Sequence, residues 1–397
     1  MEKLPQEEKM IQQRPDASSE PDDFRVCLVF GHIGGPIGYS IFTIDSRVVG
    51  DHDERKLTPL IELPGEVYPR QSGVFVVGSR VYLVGGEIVP RLRSRKSLVL
   101  TDTVYVIDTA APLPLGSVMQ HSTRMNGGKT MPIVEYVNGL VYVMSRFPTR
   151  DTYFKEKNVF FESFDPNTDE WSPLPNPPFF NFENGHIWIN FHGVFGSTIV
   201  CCSRSHVYAF HLETNNWETI EMPEEELPDL LLRYGNFMLE DAVWASISGW
   251  HPLSSYCLVP ELGLVEREIE GLGIVPDPRL DWMVEHKLLC SKNDWFCIVT
   301  YGCDKDSYRG GKPSIRATVF RLVRKRNDEF SLSEVVPWPL SPAAVAAAAV
   351  PKPGKKRRKA AGEVPVFGAV DIRRTMFDVE VKQYFMEMPA LAGCFLL

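Results

Sequence analysis

The chain has 397 residues, of which 44% are hydrophobic and 11% aromatic, and its formal net charge is -9 at neutral pH. A net negative charge argues against nucleic-acid binding by the whole surface, and no window holds the roughly 18 consecutive apolar residues of a membrane span. Eight cysteines are too sparse for a disulfide scaffold. We therefore predict a globular protein of the cytosol and/or nucleus, without nucleic acid as partner and without stable membrane insertion.

Residues 1–23 are polar, acidic and proline-bearing, and they lack the apolar stretch of a secretory signal. This composition predicts a disordered leader.

From Phe24 to Trp338 a pair of strand-like runs recurs six times. The markers of the first runs are Val26, Val81, Val141, Ile199, Val243 and Phe296. The second runs begin at Tyr39, Thr103, Val159, His206, Ser255 and Ala317. An imperfect repeat of strands without helices is typical of a β-propeller, so we predict an all-β, six-bladed propeller over residues 24–338.

Tight-turn pairs precede several first runs, such as Gly78-Ser79 and Asn138-Gly139, and they are typical of hairpins. A third segment follows some pairs and carries Trp171, Trp217 or, in the fifth unit, the run REIEGL. Its charges and prolines predict the outer edge of each sheet.

Long insertions separate the two runs in the second, third and sixth units. Since they join the same pair of strands, they should emerge at one end of a propeller. Exposed arginines and tyrosines there would form a partner-binding surface. The alternative is that they are ordinary charged and polar residues of solvent-exposed loops. The candidates are Arg91, Arg93, Arg95, Arg150, Tyr153, Tyr308 and Arg309.

Residues 339–365 are rich in alanine, proline and lysine and predict a disordered basic linker. Within it, Lys355, Lys356, Arg357, Arg358 and Lys359 resemble a nuclear-import signal, with a solvated linker as the alternative. Residues 366–397 regain apolar character, as a ring-closing strand or a short appended element. Cys394 begins a terminal tetrapeptide that fits a prenylation signal loosely, and a closing strand explains it equally.

The string Asn126–Thr130, NGGKT, shares its last three letters with a phosphate-binding loop. The leading glycine is absent, since Thr123 stands there, and Pro132 and a strand occupy the place of the required helix. We therefore interpret it as a turn between blades.

Metal-binding spacings such as HxH or HExxH do not occur among the nine histidines. Cys201-Cys202 point to opposite faces of a strand, as do His206 and His211. Tyr301 lies near Cys297 and Cys303 in the sequence without a ligand pattern. We predict no metal and no cofactor.

The runs GSRVYLVGGE and DTVYVIDT, and NGLVYVMS followed by FESFDPNTDEWSPLPNPP, resemble kelch repeats. In that family a di-glycine ends a strand, here Gly85-Gly86, and a tryptophan marks the outer strand, here Trp171 and Trp217. The chain also resembles divergent grass-type kelch-like proteins of unknown function that are related to F-box/kelch adaptors. Only 23 residues precede Phe24, so the sequence does not support an F-box.

The resemblance implies a non-enzymatic protein-interaction module that binds a partner peptide or loop at the propeller face. Some kelch relatives are metal-dependent enzymes or specifier proteins, so a metal site at the propeller mouth is the alternative. An adaptor relative that has lost its recruiting domain is a third reading. The oligomeric state and the partner stay open.

Overall fold

The structure is a computed structural model. It describes residues 24–32, 36–49, 55–88, 99–110, 118–121, 123–146, 159–180, 189, 191–195, 197–203, 206–221, 236–240, 243–248, 251–259, 263–269, 282–290, 295–303, 314–325, 335–336, 366–379 and 390–396. The predicted leader and the basic linker lie outside these ranges. Within them the chain is all-β, as predicted, with 3-10 turns at Ser46–Val48 and Pro178–Phe180. In this part of the protein no helix is long and apolar enough to cross a bilayer.

The described strands form six large sheets, antiparallel except for one strand pair in the sixth, which we number along the chain. Sheet 1 contains β1 (Arg25–Gly31), β2 (Ile37–Asp45), β4 (Ile61–Pro64) and β28 (Ala390–Leu396). Sheet 2 contains β5 (Gly73–Val77), β6 (Arg80–Val84), β9 (Val104–Asp108) and β10 (Val118–Gln120). A separate hairpin consists of β7 (Glu87–Ile88) and β8 (Val99–Leu100).

Sheets 3 and 4 are four-stranded meanders. Sheet 3 contains β11 (Ile133–Val137), β12 (Leu140–Met144), β13 (Phe161–Asp165) and β14 (Glu170–Pro173). Sheet 4 contains β15 (Phe191–Phe195), β16 (Thr198–Cys202), β17 (His206–His211) and β18 (Asn216–Glu221).

Sheets 5 and 6 have a fifth strand each. Sheet 5 contains β19 (Asn236–Glu240), β20 (Val243–Ser248), β21 (His251–Val259), β22 (Gly263–Glu268) and β26 (Val335–Val336). Sheet 6 contains β23 (Trp282–Cys290), β24 (Trp295–Cys303), β25 (Ser314–Lys325), β27 (Val366–Val379) and β3 (Arg55–Leu57).

Neighbouring sheets pack face to face through apolar side chains. Separate buried clusters join sheet 6 to sheet 1, sheet 1 to sheet 2, sheet 2 to sheet 3, and sheet 3 to sheet 4. The innermost strands also touch in sequence, with β28 against β5, β5 against β11, β11 against β15, and β23 against both β19 and β28. Consecutive meanders packed around their first strands are the arrangement of a β-propeller.

Sheets 1 and 6 are joined by strands from both ends of the chain. β28 is the innermost strand of sheet 1, where it pairs with β1. β3 leaves sheet 1 between β2 and β4 and pairs in parallel with β27 at the outer edge of sheet 6. These exchanges cover strand edges that would otherwise be open to pairing with another chain.

The recurring runs of the sequence correspond to the second and third strands of each sheet, for example β6 and β9 or β16 and β17. β14 and β18 carry Trp171 and Trp217 at the outer edges of sheets 3 and 4. In sheet 5 the third segment, β22, is not the edge, because β26 pairs with it. The tight turn at Asn138 and Gly139, with φ of 51° and 86°, joins the innermost strand β11 to β12.

Candidate functional site at the insertion end

The long insertions leave the sheets at one end, which we call the insertion end. Each joins the second and third strands of a sheet: insertion 1 is residues 89–98, insertion 2 is 147–158 and insertion 3 is 304–313. Because neighbouring strands are antiparallel, the chain also crosses from one sheet to the next at this end. The insertion end therefore combines the three insertions with the crossovers between sheets.

The seven predicted partner-binding residues lie outside the described residues. They are Arg91, Arg93, Arg95, Arg150, Tyr153, Tyr308 and Arg309. The strands that flank these segments are described, and the strand ends that meet them lie at the insertion end. Lys355, Lys356, Arg357, Arg358 and Lys359 also lie outside the described residues.

The exposed apolar side chains nearest to insertion 1 lie on its own supporting hairpin. Ile88 and Val99 are directly paired, so their side chains share one face, and they are 38% and 48% exposed. Val67, in the crossover from sheet 1 to sheet 2, is exposed as well. These residues offer apolar contact area at the insertion end.

The di-glycine that ends β6 supports this hairpin. Gly85 and Gly86 have φ of 62° and 90°, values at which a Cβ is strained. A Cβ on Gly86 would lie 2.4 Å from the carbonyl oxygen of Arg70. The pair lets β6 turn into β7 while its backbone passes close to the preceding crossover.

Asn126–Thr130 lies in the crossover from sheet 2 to sheet 3, and its Lys129 is fully buried, with 0% of the side chain exposed. The Lys129 Nζ forms an ion pair with Glu162 Oε1, whose side chain is also 0% exposed. The Nζ also donates to the carbonyl oxygens of Gly127 at 2.8 Å and Val159 at 2.9 Å. All three N–H groups of the ammonium therefore have an acceptor.

Glu162 lies in β13, and its second carboxylate oxygen accepts two more hydrogen bonds. The backbone N–H and the Nδ2 of Asn126 each donate to Glu162 Oε2 at 2.8 Å. Burial lowers the pKa of Lys129, and the charge of Glu162 opposes this shift. Because every polar atom of the pair is engaged and buried, the pair bridges the crossover to β13 and is not an accessible acid or base.

This bridge was missed in the sequence, where NGGKT was interpreted only as a turn. The available signal was Glu162, a carboxylate inside the otherwise apolar run FFESF. A charged residue on a strand packed between two sheets needs a buried partner. Nothing in the spacing pointed to Lys129, which lies 33 residues earlier in the chain.

The residues considered for a metal site are separated or buried. Cys201 belongs to the core between sheets 3 and 4. Cys297 is buried between sheets 6 and 1, and burial raises the pKa of its thiol to about 12, so it stays protonated near neutral pH and is a poor ligand. Tyr301 packs against Phe30 with ring centroids 4.7 Å apart. Among the described residues no group of three His, Cys, Asp or Glu side chains is arranged to hold a metal.

Cys394 lies within β28 and is 7% exposed. It pairs with Leu28 of β1 and belongs to the core between sheets 6 and 1. A thiol in this position would have to leave the sheet before it could accept a lipid.

The sequence comparison places the chain in a family. A family described as "Protein of unknown function (DUF1668)" matches residues 37–332. The chain belongs to this family. The match starts at β2 and ends before β26, so β1, β26, β27 and β28 lie outside the matched range. A search of curated proteins found no match.

Solved structures with a similar course of the chain share little sequence with it. One titled "Structure of YjhT" is 14% identical, with a TM-score of 0.41, and the alignment covers 71% of this chain and 88% of that chain. The periplasmic gluconolactonase PpgL of Pseudomonas aeruginosa is 10% identical, with a TM-score of 0.37 and coverage of 79% and 96%. The GH32 β-fructofuranosidase of Bombyx mori is 12% identical, with a TM-score of 0.36 and coverage of 75% and 74%. These values assign no activity to this chain.

Proposed function

We propose that this member of the DUF1668 family is a non-enzymatic protein-interaction module, a six-bladed and kelch-like propeller that binds a peptide or loop of a protein partner at its insertion end. The observation that carries the proposal is that the strands flanking the three long insertions meet them at the same end of their sheets, where Ile88 and Val99 beside insertion 1 are exposed. Tryptophan, tyrosine and arginine side chains supply much of the binding energy at protein interfaces, and the contacts around them exclude water. Loops on a rigid scaffold are the usual place for such residues.

Within this proposal, insertion 1 contributes Arg91, Arg93 and Arg95, insertion 2 contributes Arg150 and Tyr153, and insertion 3 contributes Tyr308 and Arg309. The protein acts in the cytoplasm and/or the nucleus, and the basic cluster 355–359 serves as its import signal.

Site-specific photo-crosslinking tests the location of the surface. A photoreactive amino acid replaces Val99 at the insertion end, and in a matched variant it replaces Glu213, an exposed residue of the turn between β17 and β18 at the opposite end. In cell extract we expect a discrete crosslinked product from position 99 alone. Neutral replacement of Arg91, Arg93 and Arg95 should suppress it without changing the melting temperature. Equal products from both positions would contradict the proposal.

Elemental analysis separates this function from the metal-dependent alternative. A stoichiometric transition metal in the purified protein would overturn the reading as a non-enzymatic module.

A further inference from the structure

The crossover from sheet 3 to sheet 4 contains a run of prolines. Residues 172–178 have the sequence SPLPNPP, and we call them the proline segment. Proline fixes φ at about −65°, and the residue before a proline is restricted to the β or polyproline II region. Every residue of the segment either is a proline or precedes one, so the sequence favours a polyproline II helix.

The burial of the side chains in the proline segment repeats every third residue, as expected for a polyproline II helix with about three residues per turn. Leu174 is half-buried and packs on the core between sheets 3 and 4, and Pro177 is buried. Ser172, Pro175 and Pro178 share the opposite spacing, and all three are exposed. The segment therefore lies on the protein with one face inward and presents two prolines, spaced as PxxP, to solvent.

Hydrogen bonds hold the first half of the proline segment against two sheets. The Leu174 N–H donates to the carbonyl oxygen of Phe161 in β13 at 3.0 Å. From sheet 4, the Trp217 Nε1 donates to the carbonyl oxygen of Pro175 at 2.8 Å. The exposed ring of Pro175 therefore lies on a backbone that both neighbouring sheets fix.

Phe160, just before β13, holds the second half of the proline segment. Its N–H donates to Asn176 Oδ1 at 2.9 Å, and its ring stacks on Phe180 with ring centroids 4.4 Å apart. Phe179, which directly follows Pro178, is buried as well. A segment that is ordered before it meets a partner loses little conformational entropy on binding.

The proline segment lies at the insertion end, on the outer rim between sheets 3 and 4. β14 reaches this end where Pro173 pairs with Glu162, near the start of β13. The segment contains no charged residue, and residues 159–203 contain no lysine or arginine. Its exposed face therefore suits recognition by aromatic and apolar contact rather than by charge.

We propose that the proline segment is the recognition site for a partner domain with an aromatic-lined groove that binds polyproline II helices, and that Pro175 and Pro178 are the side chains that enter the groove. Such grooves accept a preformed polyproline II helix at a low cost in entropy. This inference goes beyond the proposed function, because here the chain supplies the ligand and the partner supplies the groove. It does not involve the three insertions.

A panel of purified WW and SH3 domains, probed with the fluorescently labelled full-length protein, tests the partner class. We expect at least one domain to bind the parent protein, and the combined Pro175→Ala and Pro178→Ala variant to bind that domain about tenfold more weakly. Alanine keeps the backbone carbonyl that Trp217 uses, so the near-UV circular dichroism spectrum should not change. Binding by no domain of the panel, or equal binding of the parent and the variant, would overturn the proposal.

Pro64→Ala is the matched control for the loss of an exposed proline. Pro64 ends β4, the outer strand of sheet 1, as Pro173 ends β14 in sheet 3, and it is exposed. No proline lies three residues before or after it. This variant should bind the domain as the parent does. A loss equal to that of the combined variant would show that the PxxP spacing is not what the domain recognises.

Photo-crosslinking to the domain that binds locates the contact. A photoreactive amino acid replaces Ser172, on the same face as Pro175 and Pro178, and in a second variant it replaces Asn167, an exposed residue of the turn between β13 and β14 at the opposite end of sheet 3. We expect a crosslinked product from position 172 alone. No product there, or equal products from both positions, would overturn the assigned site.

The salt dependence of the same binding is a further test. Because the proline segment has no charge, the affinity should change by less than about twofold between low and high salt. A steep fall with salt would show that a charged surface makes the contact and would refute the proposal. The crosslinking at Val99 reports on a different sheet, so this inference and the proposed function can fail separately.

Discussion

Replacing Lys129 by methionine should destabilise the protein more than any loss of a surface charge. The substitution removes an ammonium that is 0% exposed and makes three hydrogen bonds, to Glu162, Gly127 and Val159. Methionine fills much of the same volume, so a cavity is not the main consequence. The main consequence is a carboxylate left in the interior without its counter-charge.

The expected cost is about 3–5 kcal/mol, which is the range for breaking a buried ion pair on one side. A single domain has only about 5–15 kcal/mol of stability, so the variant would be folded but marginal. Combining Lys129→Met with Glu162→Gln should recover most of the loss and cost about 1 kcal/mol, because no charge stays buried. The glutamine oxygen can still accept from Asn126.

Urea unfolding followed by tryptophan fluorescence measures both variants against the parent protein. A cost below about 1 kcal/mol, or equal costs for the single and combined variants, would refute the reasoning.

Three further outcomes can be checked independently. Gly86→Ala should lower the free energy of unfolding by about 3 kcal/mol, because the φ of Gly86 is positive and a Cβ would meet the backbone of Arg70. The control Gly78→Ala should lower it by about 1 kcal/mol, because Gly78 has a φ of 59° but open space around it. Equal melting temperatures of the two variants would contradict this difference. Burial lowers the pKa of His32 below its ordinary value of 6.5, so the unfolded chain binds a proton more readily than the folded chain. The free energy of unfolding in urea should therefore fall as the pH drops below 6.5, by at most about 1.4 kcal/mol per pH unit from this group. The same pH profile in the parent protein and in His32→Asn would exclude this contribution. A fluorescent reporter carrying residues 339–365 should accumulate in the nucleus, while a version with its five consecutive basic residues replaced by glutamine should stay evenly distributed; even distribution of both removes the import signal.

The strand pairs could be predicted because their signal is local. Runs such as the one from Arg80 combine β-branched and aromatic residues with a turn pair before them, and they form β6 and its neighbours as expected. The innermost strands were not counted among the recurring runs, although several of them end directly before one of these turn pairs, as β5 does before Gly78-Ser79. β5 and β11 are short, and their pattern is ambiguous without their neighbours.

The exchange of strands between sheets 1 and 6 had no local signal. β3 is the three-residue segment RKL, and its pairing with β27 joins positions more than 300 residues apart. Nothing in three mostly polar letters favours a strand. The return of β28 to sheet 1 was one of two readings of an apolar terminus, and only pairing with β1 distinguishes them.

The candidate site depends on two kinds of interaction that the sequence shows unequally. Apolar packing joins one sheet to the next and is readable as alternating hydrophobic residues, but it is non-directional and does not fix the relative placement of two loops. Placement needs directional bonds, and at the insertion end these join Lys129 and Asn126 of one crossover to Glu162 of β13. The five residues from Asn126 to Thr130 therefore do what apolar packing cannot, because they hold the crossover from sheet 2 to sheet 3 against β13 by hydrogen bonds and one buried charge pair.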